Sequence, residues 1–199
     1  MTESFEKTKV AGSIAAGALD EVNNIIKPGV STSEIDKLCY EYINDHKAFS
    51  APLYYRGYPK SCCTSSNHVV CHGIPSEKIL NDGDILNVDV TAIKDGWHGD
   101  TSRMFVVGEC SVKAKKLIKT TYEAMMEAIK IIKANIKIGN IGYTIQKLVE
   151  AEGFSVVRDF CGHGIGKEFH TPPSVLHFGE PGEGSMLKPG MFLTIEPMI

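Results

Sequence analysis

The sequence predicts an α+β fold made of two copies of one helix–helix–strand–strand unit. Three observations support it. Apolar spacing runs helix, strand, helix, strand along the 199 residues. Three short landmarks recur in the same order. The first pairs IKPGVSTSEIDKL (26–38) with IKIGNIGYTIQKL (136–148), the second is His-Gly-Ile at 72–74 and 163–165, and the third pairs LNDGDILNVD (80–89) with LKPGMFLTIE (187–196). Finally, Asp95-Gly96 lies between two runs of alternating polarity. It is a strong hairpin signal because a type I′ turn needs positive φ at both central positions.

Residues 4–26 place Val10, Ile14, Leu19, Val22, Ile25 and Ile26 at helical spacing, and Pro28-Gly29 ends that helix. Ser31-x-x-Glu34 is a capping box that opens a second helix through Leu38, Tyr42 and Ile43. The Tyr-, Pro-, Gly- and Ser-rich stretch 50–66 reads as loop and short strand, and strands follow at 68–71 and 85–107. A long helix is expected over 112–134 with Leu117, Ile118, Met125, Ile129 and Ile132 inward. Gly139 separates it from a helix over 141–152, and strands resume at 154–160 and 191–196. No low-complexity run marks a linker, so residues 1–199 read as one domain, with halves of about 1–108 and 109–199.

Composition narrows the functional classes. A hydrophobic content of 43% is ordinary for a globular domain, and a net charge of −3 argues against nucleic acid as the main partner. No stretch reaches the roughly 18 apolar residues of a membrane span, so no membrane partner is expected. The start of the chain lacks the apolar segment of a signal peptide. The six cysteines form no C-x-x-C pair, which argues against a zinc ribbon or a thioredoxin-type motif. Free thiols in a reducing cytoplasm are the expectation.

The hairpin carries the chemistry. With Asp95-Gly96 as the turn, Lys94 faces Trp97, Ile93 faces His98 and Thr91 faces Asp100, so Asp89, Thr91, His98 and Asp100 share one strand face. Asp89 and Asp100 are diagonal neighbours that can reach a common ion. Leu86, Val88, Val90, Ala92 and Phe105 occupy the opposite, core face. Two like charges on one face are costly without a cation, although the pair taken alone is equally compatible with surface charges. The third landmark aligns Asp89 with Glu196, and the second aligns His72 with His163 at equivalent turns. Carboxylates with imidazole form the oxygen and nitrogen donor set used by Mn, Fe, Co or Zn in hydrolytic sites. His46, His68 and His177 belong to no motif and read as exposed or core-satisfied, and His98 reads as a hydrogen-bonding neighbour of the aspartates.

CHGIP (71–75), NVDVTAIKDGWHGDTSRMF (87–105), CGHGIG (161–166) and TIEPM (194–198) resemble the motifs of type I methionine aminopeptidases, and the resemblance runs over the whole chain. It implies the pita-bread fold, an α/β duplication with a site for two divalent metal ions (Co, Mn, Fe or Zn) between its halves. It further implies that Asp89, Asp100, His163 and Glu196 are metal ligands, with Glu196 also the general base. His72 and His170 would contact the substrate amide, and Tyr55, Tyr58, Cys63 and Phe169 would line a methionine pocket. The implied reaction removes initiator methionine from nascent polypeptides in the cytoplasm when the second residue is small. The implied partners are nascent N-termini and the ribosome, and the implied state is a monomer. The alternative is a non-catalytic pita-bread protein that binds peptides or partners. A related aminopeptidase or prolidase acting on other N-terminal residues is less consistent with the CHGIP and pocket residues.

Family members carry a fifth ligand, a bridging glutamate near the C-terminus, whereas this sequence reaches only Ile199. The expectation is a domain whose last strands are missing. A 199-residue form is therefore expected to bind metal weakly and turn over little. Comparing its methionine release with that of the full-length gene product checks this, and equal turnover would refute it.

Overall fold

The computed structural model describes residues 3–199, which divide into two units. The first comprises the chain up to Ser111 together with Gly166–Phe169. The second comprises Val112–Ile165 and His170–Ile199.

In the first unit, helix α1 (Glu3–Ile25) buries Ala11, Ile14, Ala15, Ala18, Leu19 and Val22. Helix α2 (Thr32–Asp45) starts at the expected box. The Ser31 Oγ accepts from Glu34 N–H at 3.2 Å, and the Glu34 carboxylate accepts from Ser31 N–H at 2.7 Å. The Ser31 N–H, and then the Ser31 hydroxyl donating to the same carboxylate at 2.8 Å, hold the Glu34 carboxyl below its ordinary pKa. Strands β1 (Phe49–Ser50) and β2 (Cys63–Ser66) pair antiparallel with the central strand β3 (Ile85–Lys94), and β4 (Trp97–Val106) takes the whole of its other edge.

The β3–β4 register is the expected one: Lys94 pairs with Trp97, Ile93 with His98, Thr91 with Asp100 and Asp89 with Ser102. Asp95 and Gly96 have φ of 50° and 76°, as a type I′ turn requires. Leu86, Val88, Val90 and Ala92 are fully buried against α1. Gly99 allows that approach, because a Cβ there would overlap the backbone of Ala11 and Gly12. Arg103, on the same strand face, reaches over α1 to the Leu19 carbonyl (3.4 Å) and the Asp20 carboxylate (2.9 Å).

In the second unit, α3 (Val112–Lys130) packs on α4 (Gly139–Ala151), and β5 (Gly162–Gly164) pairs with β6 (Thr171–Val175). The buried stripe of α3 is Thr120, Ala124 and Ala128. The expected inward Ile129 and Ile132 are exposed, because a seam of small side chains lets α4 come closer than isoleucines would. The helix also ends at Lys130 rather than near 134.

Three expected strands do not form. Residues 68–71 follow Asn67, whose φ of 53° turns the chain away from the sheet, and Val70 is exposed. Residues 154–160 are irregular, and 191–196 contribute only one isolated bridge, Leu193 to Gly164. That last segment still runs beside β5 through Thr194 N–H to His163 O (2.8 Å) and Ile165 N–H to Phe192 O (3.1 Å). The ladder is too short to make a regular strand. The second half is thus helix–helix with the β5–β6 pair, and neither of these two strands was expected from the sequence.

The duplication is real but its register differs from the sequence match. Gly29 N–H donates to Leu80 O and Leu80 N–H to Val30 O. Likewise, Asn135 N–H donates to Leu187 O and Leu187 N–H to Ile136 O. The bridges Ser31–Ile79 and Lys137–Met186 complete the same pattern. Val30 therefore corresponds to Ile136, one helical turn from the sequence alignment, and the buried Ile35, Cys39 and Ile43 of α2 correspond to Ile141, Ile145 and Val149 of α4. A slip of one turn keeps the apolar face, so it leaves no trace in the apolar pattern. The third landmark holds in register, with Gly83 and Gly190 both at φ 90°. The His-Gly-Ile landmark fails. His72 lies in a loop, whereas His163 lies in β5 beside Thr194, as Ser65 of β2 lies beside Asn87 of β3.

Gly99→Ala is expected to lower stability by about 2–3 kcal/mol through overpacking against α1. Urea denaturation checks this, and an unchanged midpoint would refute it.

Candidate functional site

The hairpin face away from α1 carries Asp89, Thr91 and Ile93 on β3 and His98, Asp100 and Ser102 on β4. Thr91 is buried, and its hydroxyl donates to Asp100 Oδ1 at 2.9 Å. No lysine or arginine stands on this face of the hairpin. Cys63 of β2 pairs with Asp89. Burial, then the Asp89 charge, pushes the Cys63 thiol up to about 12, with a smaller push from Asp100. Both carboxylates therefore act on the Cys63 thiol in the same sense, and the Thr91 hydroxyl is a neutral donor to one of them.

The expected pocket residues all fall in the first unit. Tyr55, in a short 3-10 turn (Tyr55–Gly57), tilts against Phe169 with ring centroids 5.0 Å apart. His98 stacks on the same Phe169 at 5.6 Å, and its Nδ1 lies 2.9 Å from the Gly166 carbonyl. His98 is thus a buried anchor for the 166–169 segment rather than a hydrogen-bonding neighbour of the aspartates. The Tyr58 hydroxyl lies 3.0 Å from Cys62 O and 2.9 Å from Gly73 O, and burial pushes its pKa up, so it stays a neutral donor. Tyr58 thereby ties the loop before β2 to the loop bearing His72. A Cβ on Gly73 would overlap the Thr64 carbonyl, so only glycine allows that close approach. His72 itself is exposed, with φ 54°.

The second unit brings together His163, His170 and Glu196. The His163 and His170 rings lie 4.3 Å apart. His163 Nε2 lies 3.5 Å from Glu196 Oε1, while its Nδ1 lies 3.0 Å from Gly164 O. With Nδ1 as the donor, Nε2 presents a lone pair toward a carboxylate oxygen, an arrangement that suits a shared cation. Two residues to which the sequence assigned no part in the site, Thr194 and the core-satisfied His177, complete this cluster. The Thr194 hydroxyl accepts from His163 N–H at 2.9 Å and donates to Glu196 Oε1 at 2.6 Å. Fully buried His177 accepts from Glu196 N–H through Nε2 at 3.2 Å, and burial pushes its pKa down to about 4. Thr194 stands two residues before Glu196 in an alternating run, a spacing that places both on one face and could have revealed it. His177 carries no such signal.

Among the described residues, no group of three or more His, Cys, Asp or Glu side chains is gathered around a metal position. The donors fit a divalent cation all the same: hard carboxylate oxygens, an imidazole nitrogen with its lone pair available, and no competing ammonium or guanidinium on the aspartate face.

A duplicated α/β fold bearing paired carboxylates and an imidazole defines a class of metal-dependent hydrolases. Residues 6–199 match the profile of metallopeptidase family M24, and the chain belongs to that family. It is 53% identical to a methionine aminopeptidase of Rickettsia prowazekii over 197 residues, 99% of this chain and 76% of that one. It is 54% identical to the methionine aminopeptidase of Escherichia coli K12, over 99% of this chain and 75% of that one. Among solved structures, the R. prowazekii methionine aminopeptidase superposes with a TM-score of 0.97 at 52% identity, covering 99% of this chain and 80% of that one. A Xaa-Pro dipeptidase from Bacillus anthracis gives 0.83 at 25% identity, covering 99% of this chain and 53% of that one. The fold is the pita-bread fold shared by both enzyme groups, and family membership implies divalent metal ions.

Alkylation is expected to spare Cys63 in the native state, since its raised pKa keeps it a thiol at pH 8, and to reach the half-exposed Cys71 and Cys161 first. Peptide mapping after brief iodoacetamide treatment reads the order. Early labelling of Cys63 would refute it.

Proposed function

We propose that this protein is a metal-dependent aminopeptidase that hydrolyses the peptide bond after an N-terminal methionine. The observation that carries the reading is identity of 53–54% to methionine aminopeptidases over nearly the whole chain. The Asp89/Asp100 and His163/Glu196 pairs, each assembled within its own unit, support it. Its substrates are nascent-chain N-termini with a small second residue, which places its work in the cytoplasm near the ribosome. The free state of all six cysteines accords with a reducing compartment. No described helix is long and apolar enough to cross a membrane.

We assign Asp89, Asp100, His163 and Glu196 as ligands for two divalent ions drawn from Co, Mn, Fe and Zn. A divalent ion held by these residues would supply Lewis-acid chemistry toward a carbonyl and a water. Glu196 accepts the proton of the attacking water and delivers it to the leaving amine, so that peptide and water become methionine and a shortened peptide. His72 and His170 donate to the substrate amide and to the oxyanion that develops on its carbonyl. Tyr55 and Phe169, already in ring contact, offer an apolar aromatic wall for the thioether, and we assign Cys63 and Tyr58, which interact with each other, to the same pocket.

A non-catalytic binding role is the weaker reading, because relatives of this similarity are methionine aminopeptidases and four of the five ligands that the family resemblance implies are present. The full-length protein is expected to release methionine from Met-Ala-Ser with added Co²⁺ or Mn²⁺ and to lose that activity in EDTA. Asp89→Asn is expected to lower kcat at least about 100-fold with little change in KM. No release with any divalent metal would overturn the reading. Phe169→Ala should raise KM by about 10-fold while leaving metal affinity unchanged, as loss of an apolar contact predicts. An unchanged KM would remove Phe169 from the pocket.

A further inference from the structure

The Glu196 carboxylate is fixed from two sides. His177, with no exposed surface, accepts the Glu196 N–H at 3.2 Å and so pins the backbone. The side chain is held in turn by a short hydrogen bond from the Thr194 hydroxyl. The Thr194 hydroxyl has a single hydrogen and two acceptors in reach, Glu196 Oε1 at 2.6 Å and His163 O at 3.5 Å. The shorter contact takes the hydrogen, and its length is that of a hydroxyl donating to a carboxylate. One of the hydroxyl's lone pairs accepts from His163 N–H at 2.9 Å, and Thr194 N–H returns a bond to His163 O at 2.8 Å. Thr194 therefore links His163 and Glu196 through one oxygen. The space for this link is kept by Gly162, where a Cβ would overlap the Thr194 carbonyl.

We propose that Thr194 is a positioning residue for the metal-binding pair, its hydroxyl holding the Glu196 carboxylate in the orientation that faces His163 Nε2. An ordinary β-forming threonine would need only its methyl and backbone. Here the hydroxyl satisfies a His163 backbone donor and orients a carboxylate in the same act. A neutral donor does this without cancelling the negative charge that a cation needs.

The inference rests on His163 and Glu196 being metal ligands, and the test separates the two claims. Co²⁺ binding to the metal-free full-length protein is measured by calorimetry and by the visible spectrum of the bound ion. The proteins compared are wild type, Thr194→Val, Thr194→Ser, Thr194→Ala and Glu196→Gln. Thr194→Val and Thr194→Ala are expected to weaken Co²⁺ binding by about 10- to 100-fold and to change its spectrum. Thr194→Ser should stay within about 3-fold of wild type. On Met-Ala-Ser, Thr194→Val should lower kcat with KM nearly constant, and the Tm of the metal-free form should move by less than about 4 °C. Wild-type affinity and spectrum in Thr194→Val or Thr194→Ala, with Glu196→Gln impaired, overturn the positioning role alone. Equal loss in Thr194→Ser and Thr194→Val also overturns it, because packing rather than the hydroxyl then matters. Unimpaired Co²⁺ binding by Glu196→Gln overturns the ligand assignment, and the inference with it. Should Thr194→Val fail to fold, the comparison of Thr194→Ser with Thr194→Ala decides by the same criteria.

Discussion

The register of the β3–β4 hairpin is the constraint on which the first unit depends. β3 is paired on both edges, with β1 and β2 on one side and β4 on the other. One face of it is buried against α1 and the other carries acids. A slip of a single residue would turn Val88 and Val90 to the polar face and drive Asp89 into the core. Burying several apolar side chains stabilises by roughly 1.5–3 kcal/mol each, whereas an unpaired buried carboxylate costs several. Both effects favour the same register. The Asp95-Gly96 turn selects it locally and the α1 interface selects it globally, so local and tertiary preferences agree.

That agreement explains what was legible. The turn, the capping box at Ser31 and Glu34, and the alternation through Asp89 are short-range patterns with one geometric solution each, and the structure reproduces them. Small residues were the blind spot. The inner stripes of α1 and α3 are built on Ala11, Ala15 and Ala18, and on Thr120, Ala124 and Ala128, while larger neighbours such as Val10 and Ile129 face out. Apolar periodicity weights bulk, yet a close interface selects against bulk. Gly99 against Ala11 and Gly12 is the same effect seen from the sheet.

The repeat was legible in kind and wrong in register for a related reason. An alignment shifted by one turn keeps a helix's buried face, so the sequence could not separate the two choices; the hydrogen bonds of Leu80 and Leu187 could. The paired His-Gly-Ile tripeptides misled in a different way. His163 earns its place through β5 and Thr194, where the first unit has Ser65 and Asn87, so the two histidines hold different stations in their units. The candidate site residues were named through motifs and a family resemblance, but Thr194 and His177, which hydrogen-bond to His163 and Glu196, were given no part in the site. Their effect is exerted through one hydroxyl and one ring nitrogen, whose partners become known only when the chain is folded.

The two units handle their acids alike. Thr91 donates to Asp100 at 2.9 Å and Thr194 donates to Glu196 at 2.6 Å. A hydrogen bond to a charged group contributes about 1.5–3 kcal/mol, enough to select one carboxylate orientation. A lysine or arginine could supply more, but would bring the counter-charge with it and occupy the lone pairs that a metal needs. A hydroxyl orients and leaves the charge in place. On the proposed assignment, a bound cation would offset the repulsion of like charges on the hairpin face. The threonine hydroxyls, by orienting Asp100 and Glu196, would limit the side-chain ordering that binding requires.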